Sequence, residues 1–538
     1  MIPRLSPDLC AALRSVFQRV GYHVDGVPEL LGEAAHAALG RDEPVPARLA
    51  SQAGGPLGTL VRLFLLGDTE PEDAVARALA PVTVADALEA GLLRPGGVDL
   101  SGGTGTGAGL AAALDVRPHG DDEGSWWVVS DLDLGRSHGQ PLRADHVLGV
   151  GQASLSLAAA TVRRPVGRLL DLGTGCGVQA LHATRHAQHL VATDVNPRAL
   201  ALARATFALS GVDVELRGGS WLEPVAGERF DQIVSNPPFV AGPPRVRHTY
   251  RDSGLAGDDV AARLVGALPG LLAEGGVAQL LACWLHARGQ DWPDRVTSWL
   301  PGGGADVDAW FVQREVADPA LYVGTWLRDS GIDPASPAGR QDAEEWLSWF
   351  DAHQVEGVGF GFITLRRTGS SAGPTVLCED LRQALADPLG PETAGWLDRV
   401  DWLRTRAGDE ALLDARLAVA PNVVLERTAR PGESGWEELV AAVRRLDGPG
   451  WRHEVDELAA ALLAGCQGML PLGELLALLA FSHDRSVDEL AAASLPAVRE
   501  LVRHGLLVPA EWAAEASRAD LAGSAASGTE PSAAGGRR

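Results

Sequence analysis

The chain has 538 residues, enough for three or four domains of ordinary size. Hydrophobic residues make up 46% and charged residues 22%, which is typical of globular proteins with sizeable cores. No apolar run reaches the roughly 18–20 residues that span a bilayer, and the first residues lack the apolar stretch of a secretory signal. Five scattered cysteines form no CxxC pair, which argues against a zinc site or a disulfide framework. We therefore expect no metal, and a reducing, cytoplasmic setting.

The formal net charge of −24 bears on any role in binding nucleic acid. Contact with a phosphate backbone usually draws on a basic face, and net charge alone does not exclude a local basic patch. Three stretches are candidates for such a patch: Arg163-Arg164, Arg245 to His248, and Arg366-Arg367.

Residues 1–120 are predicted to form a mostly helical N-terminal domain. Four stretches between Pro7 and Leu79 place apolar residues at i, i+3 and i+4, which is the spacing of helices with one buried face. A further short helix is expected after Thr83, ending at Gly91. This domain is expected to be a helical cap or to bind the substrate, and a winged-helix form is one possibility.

The glycine-rich stretch Ser101 to Gly109 is similar in letters to a phosphate-binding loop. No buried strand precedes it and no acidic strand end follows at about 20 residues, so we expect a flexible turn. Leu110 to Val116 and Trp126 to Ser130 predict two strands of a small hairpin that leads into the next domain.

The stretch from Leu169 to Asp194 predicts half of a nucleotide-binding βαβ fold. An apolar run ends in Asp171-Leu172 and is followed by Gly173-Thr174-Gly175-Cys176-Gly177, a helix and a second apolar run. The glycines allow the backbone to approach a ligand closely, because no Cβ is in the way. Asp194, at the end of the second run, lies where a carboxylate can accept hydrogen bonds from ribose hydroxyls. These features fit NAD, a flavin or S-adenosylmethionine.

A second motif, Ser235-Asn236-Pro237-Pro238-Phe239, follows another apolar run. The two prolines remove backbone donors and fix φ, so the loop should be stiff and rich in acceptors. The side-chain oxygen of Asn236 and the carbonyl of Pro237 can both accept hydrogen bonds from one planar NH2 group, and Phe239 can stack on its flat face. This pattern indicates a substrate with an amide or an aromatic amine. An enzyme of hydride transfer has no evident use for it.

Together, DLGTGCG, TDVNP and SNPPF resemble the motifs of class I S-adenosylmethionine-dependent methyltransferases. The closest subgroup is the N-methyltransferases with an (N/D/S)PP(Y/F) motif, which modify adenine, guanine or glutamine nitrogen. The resemblance covers roughly Asp145 to Arg367. It implies an α/β, Rossmann-like core with seven strands at residues 121–369, S-adenosylmethionine as cofactor, and a catalytic loop formed by Asn236, Pro237, Pro238 and Phe239.

The resemblance also implies a set of residues around the cofactor. Many relatives have an acidic residue where Ser220 stands, to bind the adenine amino group, and a serine can still accept that hydrogen bond. Trp221 is expected either beside the adenine or in the core. The full implied set is Asp171, Gly173, Thr174, Gly175, Gly177, Asp194, Val195, Ser220, Trp221 and Asn236.

Two loops are expected to face the substrate. In the resembled family the loop before the first core strand closes over the cofactor, and here it carries Gly149, Gly151 and Gln152. The polar, glycine-bearing segment after Phe239 carries Arg245 and Arg247, as expected of a substrate-facing loop.

The remaining core strands are predicted at residues 212–216, 277–282, 306–316 and 359–365. The long gap before the last strand predicts a helical insertion at about residues 318–356. Its tryptophans, Trp326, Trp346 and Trp349, are expected to pack in the core of the insertion and not to stack on bases. Ser370 to Gly373 is a small-residue linker that predicts a domain boundary.

Residues 374–515 are predicted to form a mostly helical C-terminal domain with a hairpin around Asn422 to Arg430. Its end looks like the helix–helix–strand part of a winged helix, with only Arg499, Arg503 and His504 as basic residues, so docking or scaffolding is favoured over DNA recognition. Ser482-His483-Asp484 are sequence neighbours and do not predict a catalytic triad. The Ala/Gly/Ser-rich residues 516–538 are expected to be disordered.

Three functions follow from these motifs. The first is methylation of an NH2 nitrogen on a nucleobase in ribosomal or transfer RNA. The second is methylation of a glutamine in a translation factor, which the acidic balance tolerates more easily. The third is a cofactor-binding scaffold without catalysis, against which the intact NPPF motif argues.

Overall fold

A computed structural model describes residues 2–96, 109–121, 124–133, 142–304, 306–369, 373–384, 388–433 and 435–513. The predicted turn before Gly109 and the predicted disordered tail lie outside these residues. The chain divides into two compact units, Met1–Arg382 and Gln383–Arg538. None of the helices in the described ranges combines the length and apolar character that crossing a bilayer requires.

Helices form over all four stretches predicted in the N-terminal part, but the second stretch is broken at Gly32 into two helices, and the helix Pro44–Ser51 lies outside the predicted stretches. The first begins at Pro7, because the Ser6 hydroxyl accepts a hydrogen bond from the Leu9 N–H at 3.2 Å. It ends at Gly21, which adopts φ +81°. The α-helices described here are α1 Pro7–Val20, α2 Gly26–Leu31, α3 Glu33–Leu39, α4 Pro44–Ser51, α5 Gly55–Leu60, α6 Glu72–Leu79 and α7 Val84–Glu89, with a π-helical turn at Val61–Leu65.

Short strands lie between and after these helices. They are β1 Glu70–Pro71, β2 Leu93–Pro95, β3 Gly109–Ala112, β4 Asp115–Asp121 and β5 Gly124–Ser130. The single strand predicted at Leu110 to Val116 is in fact two, because β3 pairs with β1 and β2 whereas β4 forms the hairpin with β5.

One sheet organises the first unit. Its strands are β6 Val166–Leu172, β7 Ala187–Asp194, β8 Glu215–Gly218, β9 Phe230–Ser235, β10 Leu272–Ala287, β11 Val307–Ala317, β12 Val355–Arg367 and β13 Val376–Asp380. They lie in the order β13-β11-β12-β10-β9-β6-β7-β8. Only β12 runs antiparallel to its neighbours. The first seven are the strands predicted for a Rossmann-like core.

Because of an eighth strand, β13, the first unit ends later than the sequence predicted. The linker at Ser370 to Gly373 suggested that the core ends at residue 369. Instead, β13 pairs in parallel with β11 from Val376 to Asp380, and the first unit continues to Arg382. Pairing at this edge satisfies backbone groups of β11 that an edge strand would leave open.

Helices cover both faces of the sheet. They are α8 Gln152–Ala160, α9 Val178–Ala183, α10 Pro197–Ser210, α11 Asp259–Ala267, α12 Trp292–Thr297, α13 Pro319–Asp329 and α14 Pro337–Ala352. The predicted insertion is the pair α13 and α14, between β11 and β12. Its tryptophans pack, as expected: Trp346 is buried, and Trp326 and Trp349 lie partly buried against the same cluster.

The N-terminal helices are not separate from the core. Arg14 on α1 donates from Nε to the Leu209 carbonyl on α10 at 2.8 Å. The Val129 N–H in the hairpin donates to the Thr206 hydroxyl on the same helix at 2.9 Å. One continuous hydrophobic cluster includes residues of both parts. The boundary predicted at residue 120 therefore does not separate compact units, because the cap buries its apolar face against α10.

The second unit contains helices and short sheets. Its elements are α15 Gly390–Arg404, α16 Asp409–Leu413, β14 Arg416–Val419, β15 Val423–Gly432, β16 Gly435–Arg445, β17 Arg452–Val455, α17 Glu457–Gly465, β18 Gln467–Pro471, α18 Leu472–Ser482, α19 Val487–Arg503 and β19 Leu507–Pro509. The predicted hairpin is β15–β16. The segment from Val487 to Pro509 forms one helix and one strand, where two helices and a strand were expected. The helix α19 continues past Pro496 because Leu495, Val498 and Leu501 are buried on one face.

Candidate active site

The predicted motifs lie side by side at one edge of the sheet. The last residues of β6, β7 and β9 are in register, with Leu172 opposite both Thr193 and Ser235. Asp194 in turn lies opposite Gly218 of β8. The loops that follow these four parallel strands therefore meet where ligands bind in open α/β sheets.

The glycine loop after β6 has the backbone shape that the sequence predicted. Gly173, Gly175 and Gly177 have φ of +76°, +56° and +93°, a region that favours glycine. The N–H groups of Gly173 and Thr174 donate to the Thr193 carbonyl, both at 2.9 Å. A Cβ built on Gly173 or Gly175 meets nothing within 4 Å, whereas one on Gly177 would lie 2.6 Å from the Phe207 ring. The first two glycines thus face open space and the third faces the protein.

Asp171 supports this loop from beneath. It is buried, and its Oδ2 accepts hydrogen bonds from the Thr174 hydroxyl at 2.6 Å and from the Ala180 N–H at 3.1 Å. Within the described ranges its other oxygen has no hydrogen-bond partner. Burial raises the pKa of Asp171 to about 6, although these two hydrogen bonds oppose the shift. Asp171 therefore stabilises the conformation of the glycine loop.

Asp194 joins the loop to the next helix. Its carboxylate accepts hydrogen bonds from the Gly175 N–H at 2.9 Å and the Asn196 N–H at 2.8 Å. Burial raises the pKa of Asp194, and hydrogen bonds from the backbone at Asn196, Gly175 and Val195 oppose the shift. Each oxygen holds one of these two bonds, which leaves acceptor capacity for a ligand hydroxyl.

The other residues predicted near the cofactor follow β7 and β8. Val195 is 61% exposed and contributes surface next to Asp194. Ser220 is half-buried. Trp221 has φ +49°, packs partly buried against the core, and lies under the Arg263 guanidinium at 5.5 Å. Trp221 therefore packs against the core, and its place beside an adenine stays a prediction.

The loop after β9 carries the predicted catalytic amide, Asn236. The Ser235 hydroxyl donates to the Leu172 carbonyl at 2.8 Å, which fixes the end of β9 against β6. The next side chain, Asn236, is half-buried and has no hydrogen-bond partner among the described residues. Pro237 is buried behind it and Pro238 is half-buried. A half-buried, unpaired amide on a braced loop is positioned to bind something else.

Phe239 has protein contacts as well. Its ring lies 5.3 Å from Phe360 and 6.2 Å from Trp326, centroid to centroid, and it is partly buried. These contacts hold the ring in place from the side of the insertion. Its predicted stacking on a substrate stays a prediction.

The helical insertion holds the segment that follows Phe239, a contact that no local sequence pattern predicts. The Ala241 N–H donates to the Tyr322 hydroxyl at 2.8 Å, and the Trp346 indole N–H donates to the Ala241 carbonyl at 3.2 Å. A Cβ on Gly242 would lie 2.3 Å from the same indole nitrogen. The insertion therefore fixes the chain a few residues beyond Asn236.

The loop before α8 lies close to this region. Gly149 packs against Ser130, since a Cβ there would be 2.7 Å from the serine oxygen. Gly151 and Gln152 are exposed at the start of α8. The Asp131 carboxylate, not singled out from the sequence, accepts from the Val147 N–H at 3.0 Å and from the Arg198 guanidinium at 2.8 Å. Asp131 thus ties the loop to α10.

The Asn196 side chain links the two loops that were predicted to face the substrate. Its Nδ2 donates to the Asp145 carbonyl at 3.0 Å in the first loop and lies 3.5 Å from the Thr249 hydroxyl in the second. The Thr249 N–H also donates to the Ala144 carbonyl at 3.0 Å. Both loops therefore meet beside Asp194.

The predicted basic residues of the second loop are already paired. Arg247 forms two hydrogen bonds with the buried Asp342 on α14. Arg245 contacts Glu345 on the same helix at 3.1 Å and lies over Trp346. Hydrogen bonding to Asp342 raises the pKa of Arg247. These cations connect the loop to the insertion.

The other predicted basic stretches show the same pattern. Arg366 is buried against Asp308 at 2.6 Å. Arg367 donates to the Leu272 carbonyl at 2.9 Å. Arg163 lies 3.8 Å from Asp121. Arginine side chains from all three stretches therefore contact acceptor groups within the protein.

Three family models match the chain. The methyltransferase small domain matches residues 149–253. Two domains of unknown function, DUF7059 and DUF7782, match residues 19–102 and 394–509. The matched methyltransferase segment contains the glycine loop, Asp194 and the NPPF loop.

Named relatives match part of the chain. A release factor glutamine methyltransferase of Deinococcus radiodurans is 41% identical over 124 residues, 21% of this chain and 44% of the relative. One from Bordetella pertussis is 35% identical over 140 residues, 23% of this chain and 51% of the relative. A ribosomal RNA small subunit methyltransferase C of Alcanivorax borkumensis is 31% identical over 116 residues, 22% of this chain and 32% of the relative. The chain thus spans about half or less of each of these relatives.

Among solved structures, a T. thermophilus 16S rRNA methyltransferase in complex with AdoMet and guanosine matches with a TM-score of 0.25 and 19% identity. The match covers 35% of this chain and 46% of that one.

Proposed function

We propose that this chain, whose core is of the class I S-adenosylmethionine-dependent methyltransferase type, transfers a methyl group to a planar NH2 nitrogen. The observation that carries the proposal is the Asn236 amide, which has no partner in the described part of the chain and follows β9 at the edge where the glycine loop opens. An unpaired amide in this place suits a ligand with the same hydrogen-bonding groups.

The residues present fit the cofactor. Gly173 and Gly175 leave open space where a ligand can lie against the backbone. Asp194 keeps acceptor capacity for ribose hydroxyls, and Ser220 and Trp221 follow β8 on the same edge, where an adenine would be held. When bound, the cofactor supplies an electrophilic methyl group on a sulfonium.

The chain's own residues position and polarise the nitrogen. The lone pair of an amide or aromatic amine is delocalised, so that nitrogen is a poor nucleophile. Acceptors at Asn236 Oδ1 and the Pro237 carbonyl would hold the two N–H hydrogens and favour the more pyramidal nitrogen of the transition state. Phe239, fixed by Phe360, would limit the tilt of the planar group. No strong base is required, because the product cation loses its proton readily.

The first candidate target is a nucleobase in ribosomal or transfer RNA. The similarity to ribosomal RNA methyltransferases supports it. A base in structured RNA would have to be splayed out to reach Asn236.

The second candidate target is a glutamine side chain in a translation factor. Two observations favour it: Arg245 and Arg247 are engaged by carboxylates of α14, and the chain carries a net charge of −24. A protein amide makes no demand for phosphate contacts, which nucleic acids do. The similarity to release factor glutamine methyltransferases is consistent with it. The unpaired Asn236 amide argues against the third candidate, a scaffold without catalysis.

Two variants test the site. Asn236→Ala should abolish methyl transfer while S-adenosylmethionine affinity, measured by calorimetry, stays close to wild type. Asp194→Ala should weaken cofactor binding first. If Asn236→Ala loses cofactor binding instead, the assignment of Asn236 to the substrate is wrong.

The target can be identified by labelled methyl transfer into extract from a strain lacking the protein. Label that is lost on ribonuclease treatment supports the nucleobase. Label that survives ribonuclease but is lost with protease supports glutamine. Asn236→Ala enzyme serves as the blank, once the calorimetric measurement has shown that it still binds the cofactor.

A further inference from the structure

A cluster of three metal-ligand side chains lies in the second unit, remote in sequence from every motif used above. Among the described residues, the donor atoms of His453, Glu500 and His504 all lie within 4.8 Å of one another. We propose that this cluster binds a divalent transition-metal ion, with zinc as the best fit.

The three residues come from two elements that pack together. His453 is in β17, and Glu500 and His504 are one helical turn apart at the end of α19. A spacing of four residues puts both on the same face of a helix. The Nε2 of His453 lies 2.8 Å from the Nδ1 of His504. Two nitrogens on one tetrahedral zinc ion are about 3.3 Å apart, so the rings need to separate by only about half an ångström.

The surroundings orient one ligand. The His504 ring is stacked on Trp451, with centroids 4.6 Å apart and planes at 5°. The His504 carbonyl accepts a hydrogen bond from Arg445 at 3.0 Å. The ring is therefore held by its face and by its backbone, which is how neighbouring groups fix the orientation of a metal ligand.

The local charge also permits a cation. Arg445 and Arg399 lie near the end of α19, but both are paired with the buried Glu392, and Arg445 also pairs with Asp447. The Glu500 carboxylate has no salt-bridge partner in the described part of the chain. The C-terminal end of a helix favours positive charge. Two imidazoles and one carboxylate form a donor set that suits zinc and leaves a fourth position for water.

No local motif marks this site. It contains no paired cysteines, and its two histidines are 51 positions apart in the chain. The alternative to an ion is the hydrogen bond between the two imidazole rings, in which Glu500 takes no part.

The test is zinc titration of the full-length, untagged, metal-stripped protein by calorimetry. We expect one zinc ion per chain, lost in His453→Ala and at least tenfold weaker in Glu500→Gln. The matched control is His483→Ala, which removes an exposed histidine of the same unit and should bind as wild type. Cobalt should give the visible absorption of a tetrahedral ion in wild type but not in His453→Ala.

Glu500 is exposed, so Glu500→Gln should fold normally even if a substitution at His453 does not, and circular dichroism checks both. Absence of a stoichiometric site in wild type overturns the proposal. Equal affinity in wild type and Glu500→Gln overturns the three-ligand assignment. An equal loss in His483→Ala shows that zinc binds elsewhere.

Discussion

The glycine loop offers a pair of substitutions that separate binding from stability. Gly175 and Gly177 are two residues apart and both have positive φ, so alanine at either costs about 1–2 kcal/mol in backbone strain. The added methyl group meets different surroundings. At Gly175 it points into open space, whereas at Gly177 it lies 2.6 and 2.8 Å from two atoms of the buried Phe207 ring.

These surroundings set the expected magnitudes. Gly177→Ala adds overpacking of about 1–3 kcal/mol to the backbone term, for a total loss of about 2–5 kcal/mol. Gly175→Ala should lose only about 1–2 kcal/mol of stability. Its methyl group occupies the space proposed for the cofactor, so cofactor affinity should fall by at least about tenfold, or 1.4 kcal/mol.

Urea unfolding and calorimetric titration with S-adenosylmethionine measure the two effects. Of the two variants, Gly177→Ala should lower the urea midpoint of the first unit more. Gly175→Ala should lose more cofactor affinity for each kcal/mol of stability that it loses. If Gly175→Ala binds the cofactor as tightly as wild type, the open face of this loop is not where the cofactor lies.

Three further predictions concern the supports of the site. Burial raises the pKa of Asp171 from its ordinary value of 3.8 to about 6 in the folded protein. As the pH falls from 6 toward 4, the folded protein therefore binds this proton before the unfolded chain does, and the free energy of unfolding rises. Asp171→Asn should lack that gain in unfolding measurements across the window and be up to about 3 kcal/mol more stable at pH 7. Tyr322→Phe leaves the buried Ala241 N–H without an acceptor, which should cost about 1–3 kcal/mol and lower kcat while cofactor affinity holds in a binding assay. Arg247→Ala and Asp342→Ala should lower kcat by similar factors and be non-additive in a double-mutant cycle; tighter substrate binding in Asp342→Ala would instead mean that Arg247 serves the substrate.

The site motifs could be predicted because each is local. A glycine turn, an acidic strand end and a proline-braced loop each follow an apolar run, and parallel strands bring their ends to one edge. Residues near Gly173, Asp194 and Asn236 therefore meet as expected, because strand periodicity alone fixes where each loop begins.

The eighth strand and the domain boundaries could not be predicted in this way. The segment Val376–Asp380 is five residues long and follows a run of small residues that is typical of a linker. Its pairing with β11 depends on which edge is open, and that is a property of the assembled sheet. The helical cap likewise shares a core with α10 through contacts almost 200 residues apart, such as Arg14 with Leu209.

The partners of the arginines also could not be predicted from the sequence. An arginine that binds phosphate and one that pairs with a carboxylate look the same in a local pattern. The partner of Arg247 is Asp342, 95 positions away on the insertion. Arg245 and Arg247, two of the arginines that were candidates for a basic patch, therefore pair with carboxylates of the insertion.

The stiffness of the NPPF loop likewise comes from distant parts of the chain. Prolines restrict φ at two residues, but they do not fix where the loop lies relative to the sheet. Ser235 fixes the loop at its start, and Tyr322 and Trp346 fix both backbone groups of Ala241 at its end. Asn236 lies between these two anchors, and its amide has no hydrogen-bond partner among the described residues. Misplacement of a catalytic group by about 1 Å can cost about 100-fold in rate. Under the proposed function, the insertion therefore serves catalysis by holding the Asn236 loop, although none of its residues is assigned to the chemistry.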